Sequence, residues 1–460
     1  MPAKRLQISF FGGTGEVTGS NFLIETLDEA NPLRILVDCG LFQGSKIFEE
    51  QNHQPFPYDP ASINYLVVTH AHIDHTGRIP KLVKDGFRGT ILSTFPTKEI
   101  AKLMLIDSMG VMAKEIKNDN TEPLYTAEDI EASQALWKSL PYHEPFSFTE
   151  GFSVRLLEAG HTLGSAMIEF TYQSKRLIFS GDLGNSPAPL LRSAEAIKDA
   201  TYLVIESVYG DRNHEHKEER RERLERIIED TINSGGVLMI PAFSLERTQE
   251  LLYEIERLME KESIPLVPVF IDSPLAIKVT DIYKKYDSYF NKDVCYIIGS
   301  GNEIFNFPQL RFTMTTEESK AINEIAPPKI IMAGSGMSNG GRILHHEKRY
   351  LPDPKNTLLM VGYQATRTLG RQLQDGAKRV KIHGEEIEVR AKIAVLHGYS
   401  GHLDSEGLLR YVAASADTLK KVFVVMGEPK SSLFLVQRIR DYLGLSADAP
   451  DTNEKVELEF

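Results

Sequence analysis

Short apolar runs that end in Gly or Asp alternate along this chain with segments of helical period. Ile35 to Val37, Tyr65 to Val68, Leu177 to Phe179, Tyr202 to Ile205, Val237 to Ile240, Ile330 to Met332, Leu358 to Val361 and Val422 to Val425 are continuous apolar blocks too short for helices, and they predict buried strands. Amphipathic segments lie between several of them. Arg247 to Glu260, with Leu251, Leu252, Ile255, Leu258 and Met259 on one face, predicts a helix. The alternation predicts an α/β protein throughout. Residues 214–230 hold 12 charged side chains in 17, with Leu224, Ile227 and Ile228 as a narrow apolar stripe and Gly235-Gly236 as a stop, which predicts a solvated helix face. Asp448 to Phe460 carries five acids and one Lys and reads as an acidic tail.

Composition adds limits. The chain has 460 residues, 52 Lys plus Arg against 64 Asp plus Glu, and a net charge of −12. This length predicts two to four domains. No apolar run approaches the roughly 18 residues a membrane helix needs. The first residues reach glycines before a secretory signal can form, and two cysteines, Cys39 and Cys295, make no disulfide framework, so a cytoplasmic protein is expected. The acidic total argues against coating nucleic acid through overall charge and leaves room for a local basic groove.

The histidines change the picture. Thr69-His70-Ala71-His72-Ile73-Asp74-His75 follows a predicted buried strand directly. Residues two apart at a strand exit point the same way, so His70 and His72 can grip one ion, while Asp74 and His75, about one turn on, can grip a second. Glu158-Ala159-Gly160-His161-Thr162 and Phe179-Ser180-Gly181-Asp182 repeat the layout of strand, polar residue and glycine. Taken alone, Asp182 reads more readily as a turn residue than as a ligand. Together these imidazoles and carboxylates, without thiolates, suit zinc.

The HxHxDH stretch, the preceding Val37-Asp38-Cys39-Gly40 and the later His and Asp resemble the metallo-β-lactamase superfamily. The resemblance implies an αββα sandwich in which His70, His72 and His161 hold a first zinc, Asp74 and His75 a second, Asp182 bridges both, and Asp38 fixes the His-rich loop by hydrogen bonds. Two such metals can hold a hydroxide as nucleophile, which is the chemistry of hydrolysis. Val204-Ile205-Glu206-Ser207-Val208-Tyr209-Gly210, Pro241-Ala242-Phe243-Ser244, Asp272-Ser273-Pro274-Leu275-Ala276, Ala333-Gly334-Ser335-Gly336-Met337, Gly362-Tyr363-Gln364-Ala365 and Tyr399-Ser400-Gly401-His402 resemble the β-CASP branch of nucleic-acid-processing nucleases. They imply a Rossmann-like α/β insertion. The expected division is residues 1–207 and 393–460 for the sandwich, with the acidic tail, and 208–392 for the insertion. Glu206 would pair with His402, and His402 would give a proton to the leaving oxygen, so that Asp74, Asp182, Glu206 and His402 form the catalytic set. Without the resemblance, His402 is equally a bonded loop histidine and Glu206 a helix cap.

The implied partner is single-stranded RNA, cut internally or from an end by metal-bound hydroxide. Ser335, Gly336 and Met337, in a glycine-rich loop before a predicted helix, could receive a phosphate. From Lys329 to Lys381 there are ten Lys plus Arg and three acids, a net of +7, which makes Arg342, Lys348, Arg367, Arg371, Lys378 and Arg379 candidates for backbone contacts. One position departs from the branch: Met426 stands where its third marker has a zinc-binding His. A thioether serves zinc badly, so the second of the two zinc sites is expected to be weaker, with His397 a conceivable substitute ligand. Two other readings remain open: an RNA-binding scaffold with feeble catalysis, and a small-molecule hydrolase that leaves the insertion unexplained. Homodimerisation is neither required nor excluded, and no membrane partner is expected.

Overall fold

The computed structural model describes residues 5–27, 31–44, 46–119, 123–214, 219–362, 364–365, 367–396 and 398–460. Tyr363 and His397 therefore lie outside the described residues. The chain divides into two compact units: Met1–Ala188 with Arg192–Asn213 and His402–Phe460, and Pro189–Leu191 with His214–Gly401. No helix among the described residues is long and apolar enough to cross a membrane.

Unit 1 begins with β1 (Arg5–Gly12), β2 (Asn21–Thr26), β3 (Arg34–Val37), β4 (Tyr65–Val67), β5 (Thr90–Ser93) and β6 (Trp137–Ser139). It continues with β7 (Phe146–Thr149), β8 (Phe152–Glu158), β9 (Ala166–Tyr172), β10 (Lys175–Phe179) and β11 (Tyr202–Glu206). Unit 2 holds β12 (Val237–Pro241), β13 (Val269–Asp272), β14 (Leu310–Phe312), β15 (Lys329–Ala333), β16 (Thr357–Val361), β17 (Arg379–Ile382), β18 (Glu385–Glu388) and β19 (Lys392–Leu396). The chain then returns to unit 1 for β20 (Lys421–Val425), β21 (Ala447–Asp448) and β22 (Lys455–Glu459).

In unit 1 two seven-stranded sheets, β22-β1-β2-β3-β4-β5-β6 and β21-β20-β11-β10-β9-β8-β7, face each other. One core fills the space between them, with Ile8, Phe10, Ile24 and Val37 from the first sheet meeting Leu156, Phe170, Phe179 and Phe423 from the second. The outer face of the second sheet is covered by helices Ser405–Ala413 and Pro429–Leu443 through Leu408, Val412, Leu435 and Ile439. Helices Phe95–Asp119 and Ala127–Ala135 supply Leu105 and Ile130 to a further cluster with Tyr125. The result is the αββα sandwich.

Unit 2 has a six-stranded, wholly parallel sheet in the order β14-β13-β15-β12-β16-β19, whose central strands are apolar on both faces because helices cover both. Helix Arg247–Glu260 occupies the predicted span with Leu251, Leu252, Ile255, Leu258 and Met259 buried. The charged segment forms helix Glu219–Asn233, which is less solvated than its composition implies: Arg221 bonds Glu254 and Arg223 donates to the Val395 carbonyl.

Two expectations need correction. β19 pairs with β16 along its whole length, so the return to unit 1 falls after this strand rather than at residue 393. The acidic tail is structure: β22 pairs antiparallel with β1 from Arg5↔Glu459 to Ser9↔Lys455, and Leu458 and Phe460 are buried. Glu457 and Glu459 lie on the outward side of this edge strand, where alternation sends every second residue to solvent.

Candidate metal centre

β4 delivers the first ligands. Val68 N–H still donates to Leu92 O, so the chain stays in the sheet until Thr69, and helix Ile73–Thr76 then starts at once. His70 Nε2 lies 3.1 Å from His72 Nδ1. His161, on the turn leaving β8, places Nε2 3.2 Å from the same His72 atom. Asp182, beyond β10, places Oδ2 3.4 Å from both His70 Nε2 and His161 Nε2. Zinc bonds of 2.0–2.1 Å imply a tetrahedral edge of about 3.3 Å, so these spacings fit one ion. Burial, aided by neighbouring His75, holds the His70 imidazole well below its ordinary pKa, in the neutral form a metal requires.

Beside this cluster, His75 Nε2 and Asp182 Oδ1 are both buried without a hydrogen bond, 3.5 Å apart. Orphaned polar atoms in a core are what a cation would satisfy. Asp74 Oδ2 is 3.9 Å from His75 Nε2. The arrangement is looser than the first. Two sets among the described residues bring three or more candidate ligand atoms within 4.8 Å of one another, His70–His72–His161–Asp182 and Asp182–Glu206–His402, and Asp74 and His75 belong to neither.

Met426 follows β20 in left-handed backbone, φ +50°, and its N–H donates to Gly13 O. Its side chain is buried in the sandwich core, with the sulfur turned onto the backbone of Gly13. A void of about 10 Å³, bordered by Met426, His75, Asp38, Thr69 and Ser180, lies alongside. That is at most the room for a single water.

Asp38 sits under the His-rich loop. Its carboxylate accepts from Thr69 N–H at 2.8 Å, Thr69 Oγ1 at 2.9 Å and Ser20 Oγ at 3.0 Å, and its Oδ2 is 2.7 Å from His75 Nδ1. Gly40 is required nearby, because a Cβ there would stand 1.5 Å from Asp74 O. Sequence reasoning passed over three supporting residues. Thr69 Oγ1 also lies 3.0 Å from His70 Nδ1, and Ser165 Oγ accepts the N–H groups of His161 and Thr162. Ser20 is the third. Single hydroxyl residues in loops carry no spacing signal that could have marked them.

Glu206 closes β11, and His402 opens the returning segment of unit 1. His402 Nδ1 is 3.2 Å from both carboxylate oxygens, and Glu206 Oε1 also accepts Leu183 N–H at 2.7 Å. Burial works against the charged imidazole, but Glu206 and Asp182 outweigh it and push His402 up to about 9. Burial raises Glu206 as well, against the pull of His402. Leu183 N–H already donates to Glu206 Oε1, which favours the carboxylate, so the shared proton is placed on His402.

In unit 2 the glycine-rich loop is braced from within. Ser335 Oγ accepts Asn339 N–H, Gly336 O accepts from Gln364, Met337 O accepts Gly370 N–H, and Ser338 donates to buried Glu347. Arg342, expected at a phosphate, is bonded instead to Asp272, Thr313 O and Met314 O. Lys348 pairs with Glu385 and Arg371 with Asp375. Arg367 is exposed.

Family models match along the chain in the same order as its units: a metallo-β-lactamase superfamily domain over residues 26–209, a Beta-Casp domain over 248–373, and a Zn-dependent metallo-hydrolase RNA specificity domain over 386–450. The chain is 37% identical over 431 residues to Ribonuclease TTHA0252 of Thermus thermophilus, covering 94% of this chain and 95% of that one. It is 30% identical to Transcription termination factor FttA of Methanosarcina mazei, covering 98% of this chain and 72% of that protein. A crystal structure of a protein of unknown function from Enterococcus faecalis V583 shares the fold, with a TM-score of 0.56 at 13% identity over 99% of this chain and 100% of that one. The His and Asp cluster and these matches, which span both units, show that the chain belongs to the β-CASP branch of the metallo-β-lactamase superfamily and is a metal-dependent hydrolase.

Proposed function

We propose that this chain is a zinc-dependent ribonuclease that hydrolyses phosphodiester bonds of single-stranded RNA. The observation that carries the reading is the adjacency of a four-ligand His and Asp cluster to a buried imidazole–carboxylate pair, joined through Asp182: its Oδ2 is 3.9 Å from His402 Nδ1. The RNA specificity domain and the ribonuclease relative support RNA as substrate. Nitrogen and oxygen donors without thiolate favour zinc over softer-site metals.

When bound, the metal supplies a water of lowered pKa and positive charge beside the phosphoryl group. His70, His72 and His161 with Asp182 would hold the first ion, and His75, Asp74 and the far oxygen of Asp182 a second. With Met426 directed at Gly13, a second ion would find three protein ligands and would be held more weakly. His402 supplies the proton. Its Nδ1 is committed to Glu206, which assigns the transferable proton to Nε2. The water first gives one proton to solvent; as its oxygen bonds to phosphorus, the bond to the leaving oxygen breaks, that oxygen takes the His402 proton, and solvent restores the proton to the imidazole. Glu206 stabilises the imidazolium before transfer and orients the ring throughout. Cys39 and Cys295 are free thiols, which suits a cytoplasmic setting.

The test is incubation of wild type, the Asp74→Ala/His75→Ala double variant and His402→Ala with labelled single-stranded RNA and with nitrocefin. Metal-dependent RNA cleavage that both variants lose is expected. RNA binding without cleavage by the wild type would replace this reading with a scaffold role, and nitrocefin turnover with small-molecule hydrolysis.

A further inference from the structure

Proton transfer from His402 requires that its ring be held in register with Glu206. Glu206 ends the segment that leaves unit 1 at Asn213, and His402 begins the one that returns, so two strands of chain separated by the whole insertion must be fixed to each other. Within unit 1 they are tied by a compact set of bonds. Ser405 N–H donates to Arg212 O at 3.0 Å, and Ser405 Oγ donates to Gly210 O at 2.6 Å. Glu406 N–H donates to the Asn213 side chain at 3.1 Å.

Helix Pro429–Leu443 grips both segments at once. On the outgoing side, Ser431 Oγ donates to Asp211 Oδ1 at 3.0 Å and Lys430 Nζ lies 3.1 Å from Asp211 Oδ2. On the returning side, Arg438 Nη1 donates to Ser405 Oγ at 2.8 Å while Nη2 bonds Glu406. Ser405 is buried, at 2% exposure, so its hydroxyl meets these partners rather than water. Leu183 completes the register: its N–H goes to Glu206 and its O accepts Leu403 N–H at 2.8 Å. An arginine that spans two acceptors with one planar fork has few alternative arrangements.

We propose that Arg438 and Ser405 are positioning residues for proton delivery, a clasp that closes the outgoing and returning segments and so holds His402 against Glu206. Neither touches a metal ligand. The inference rests on His402 as the proton donor. Displacing a proton donor by about 1 Å costs on the order of 100-fold, and the loss falls on substrates whose leaving group needs a proton.

The test compares Arg438→Ala and Ser405→Ala with wild type, in zinc-loaded protein, on an RNA oligonucleotide and on bis(p-nitrophenyl) phosphate, whose phenolate departs without a proton. Each variant should lower kcat on RNA by about 10- to 100-fold with KM little changed, and alter ester hydrolysis by less than about threefold. Arg438→Lys should recover part of the RNA rate. Zinc content should match wild type, and hydrogen exchange should rise across 402–410 but not across 65–76. Unchanged exchange across 402–410 overturns the clasp whatever the rates. Raised exchange with equal loss on both substrates overturns its link to proton delivery. If wild type hydrolyses the ester but not RNA, the ribonuclease reading fails, while the exchange result still decides the clasp.

Discussion

Asp272 offers the most quantitative check on how unit 2 holds its glycine-rich loop. Its side chain is fully buried at the end of β13 and accepts four bonds: Arg342 Nη1 and Thr313 Oγ1 at 2.7 Å on one oxygen, His346 Nε2 at 2.7 Å and Ser319 Oγ at 2.6 Å on the other. Burial alone would raise its pKa, but the bonds from His346, Ser319, Thr313 and Arg342 outweigh it and hold the carboxyl well below the usual range. Asp272→Asn keeps the shape and one acceptor oxygen. The other oxygen becomes an NH2 that faces two donors, so two bonds to a charged group, worth about 1.5–3 kcal/mol each, are lost, at least about 3 kcal/mol in all. Asp272→Ala removes all four acceptor bonds, leaves Arg342 only the Thr313 and Met314 carbonyls, and should cost at least as much, about 3–5 kcal/mol. Because the folded pKa is depressed, this stability is present above the unfolded carboxylate pKa of about 3.9 and disappears as pH falls below it. The gap between wild type and the Asn variant, measured by urea unfolding with far-UV circular dichroism, should therefore be full at pH 7 and shrink at pH 3. An Asn variant within about 0.5 kcal/mol of wild type at pH 7, or a gap unchanged at pH 3, refutes the reasoning.

Three further outcomes are expected. Met426→His should raise zinc retained after chelator dialysis from about one to about two ions per chain, since His is among the residues that accept left-handed backbone and adds a fourth donor; metal analysis reads the result. Asp38→Asn should weaken the second ion by about 10- to 100-fold in zinc-buffered titrations, because an amide facing His75 Nδ1 favours the tautomer with its proton on Nε2. Deleting Lys455–Phe460 should lower stability by about 3–6 kcal/mol, the burial of Leu458 and Phe460, whereas a solvated tail would cost nothing; thermal denaturation distinguishes them.

Much of the site was legible because its chemistry is local. His70, His72, Asp74 and His75 fall within six residues behind an apolar strand, and no core requirement explains them. The rest was hidden for physical reasons. Asp272 and His346 lie far apart in sequence, and only the parallel order β13-β15 brings their elements together. Arg342 looked available for RNA because charge counts ignore partners, and its partner is a buried acid at the end of β13. The C-terminal segment misled through its charge total, although Val456, Leu458 and Phe460 alternate with acids in the period of a strand. Period carried the information there, and net charge obscured it.

The pairing of β22 with β1 bears on how the protein is made. The first sheet joins the earliest strand of the chain to one of its latest, and His402 follows an insertion that is contiguous from His214 to Gly401. During synthesis, unit 2 has its whole sequence before unit 1 has His402 or the strand that pairs with β1. A nascent chain that has already collected His70, His72, His161 and Asp182 still lacks His402 and the helix that braces it. On the proposed reading, a product truncated before residue 402 lacks the proton donor, the helix that braces its segment and the strand that closes the first sheet.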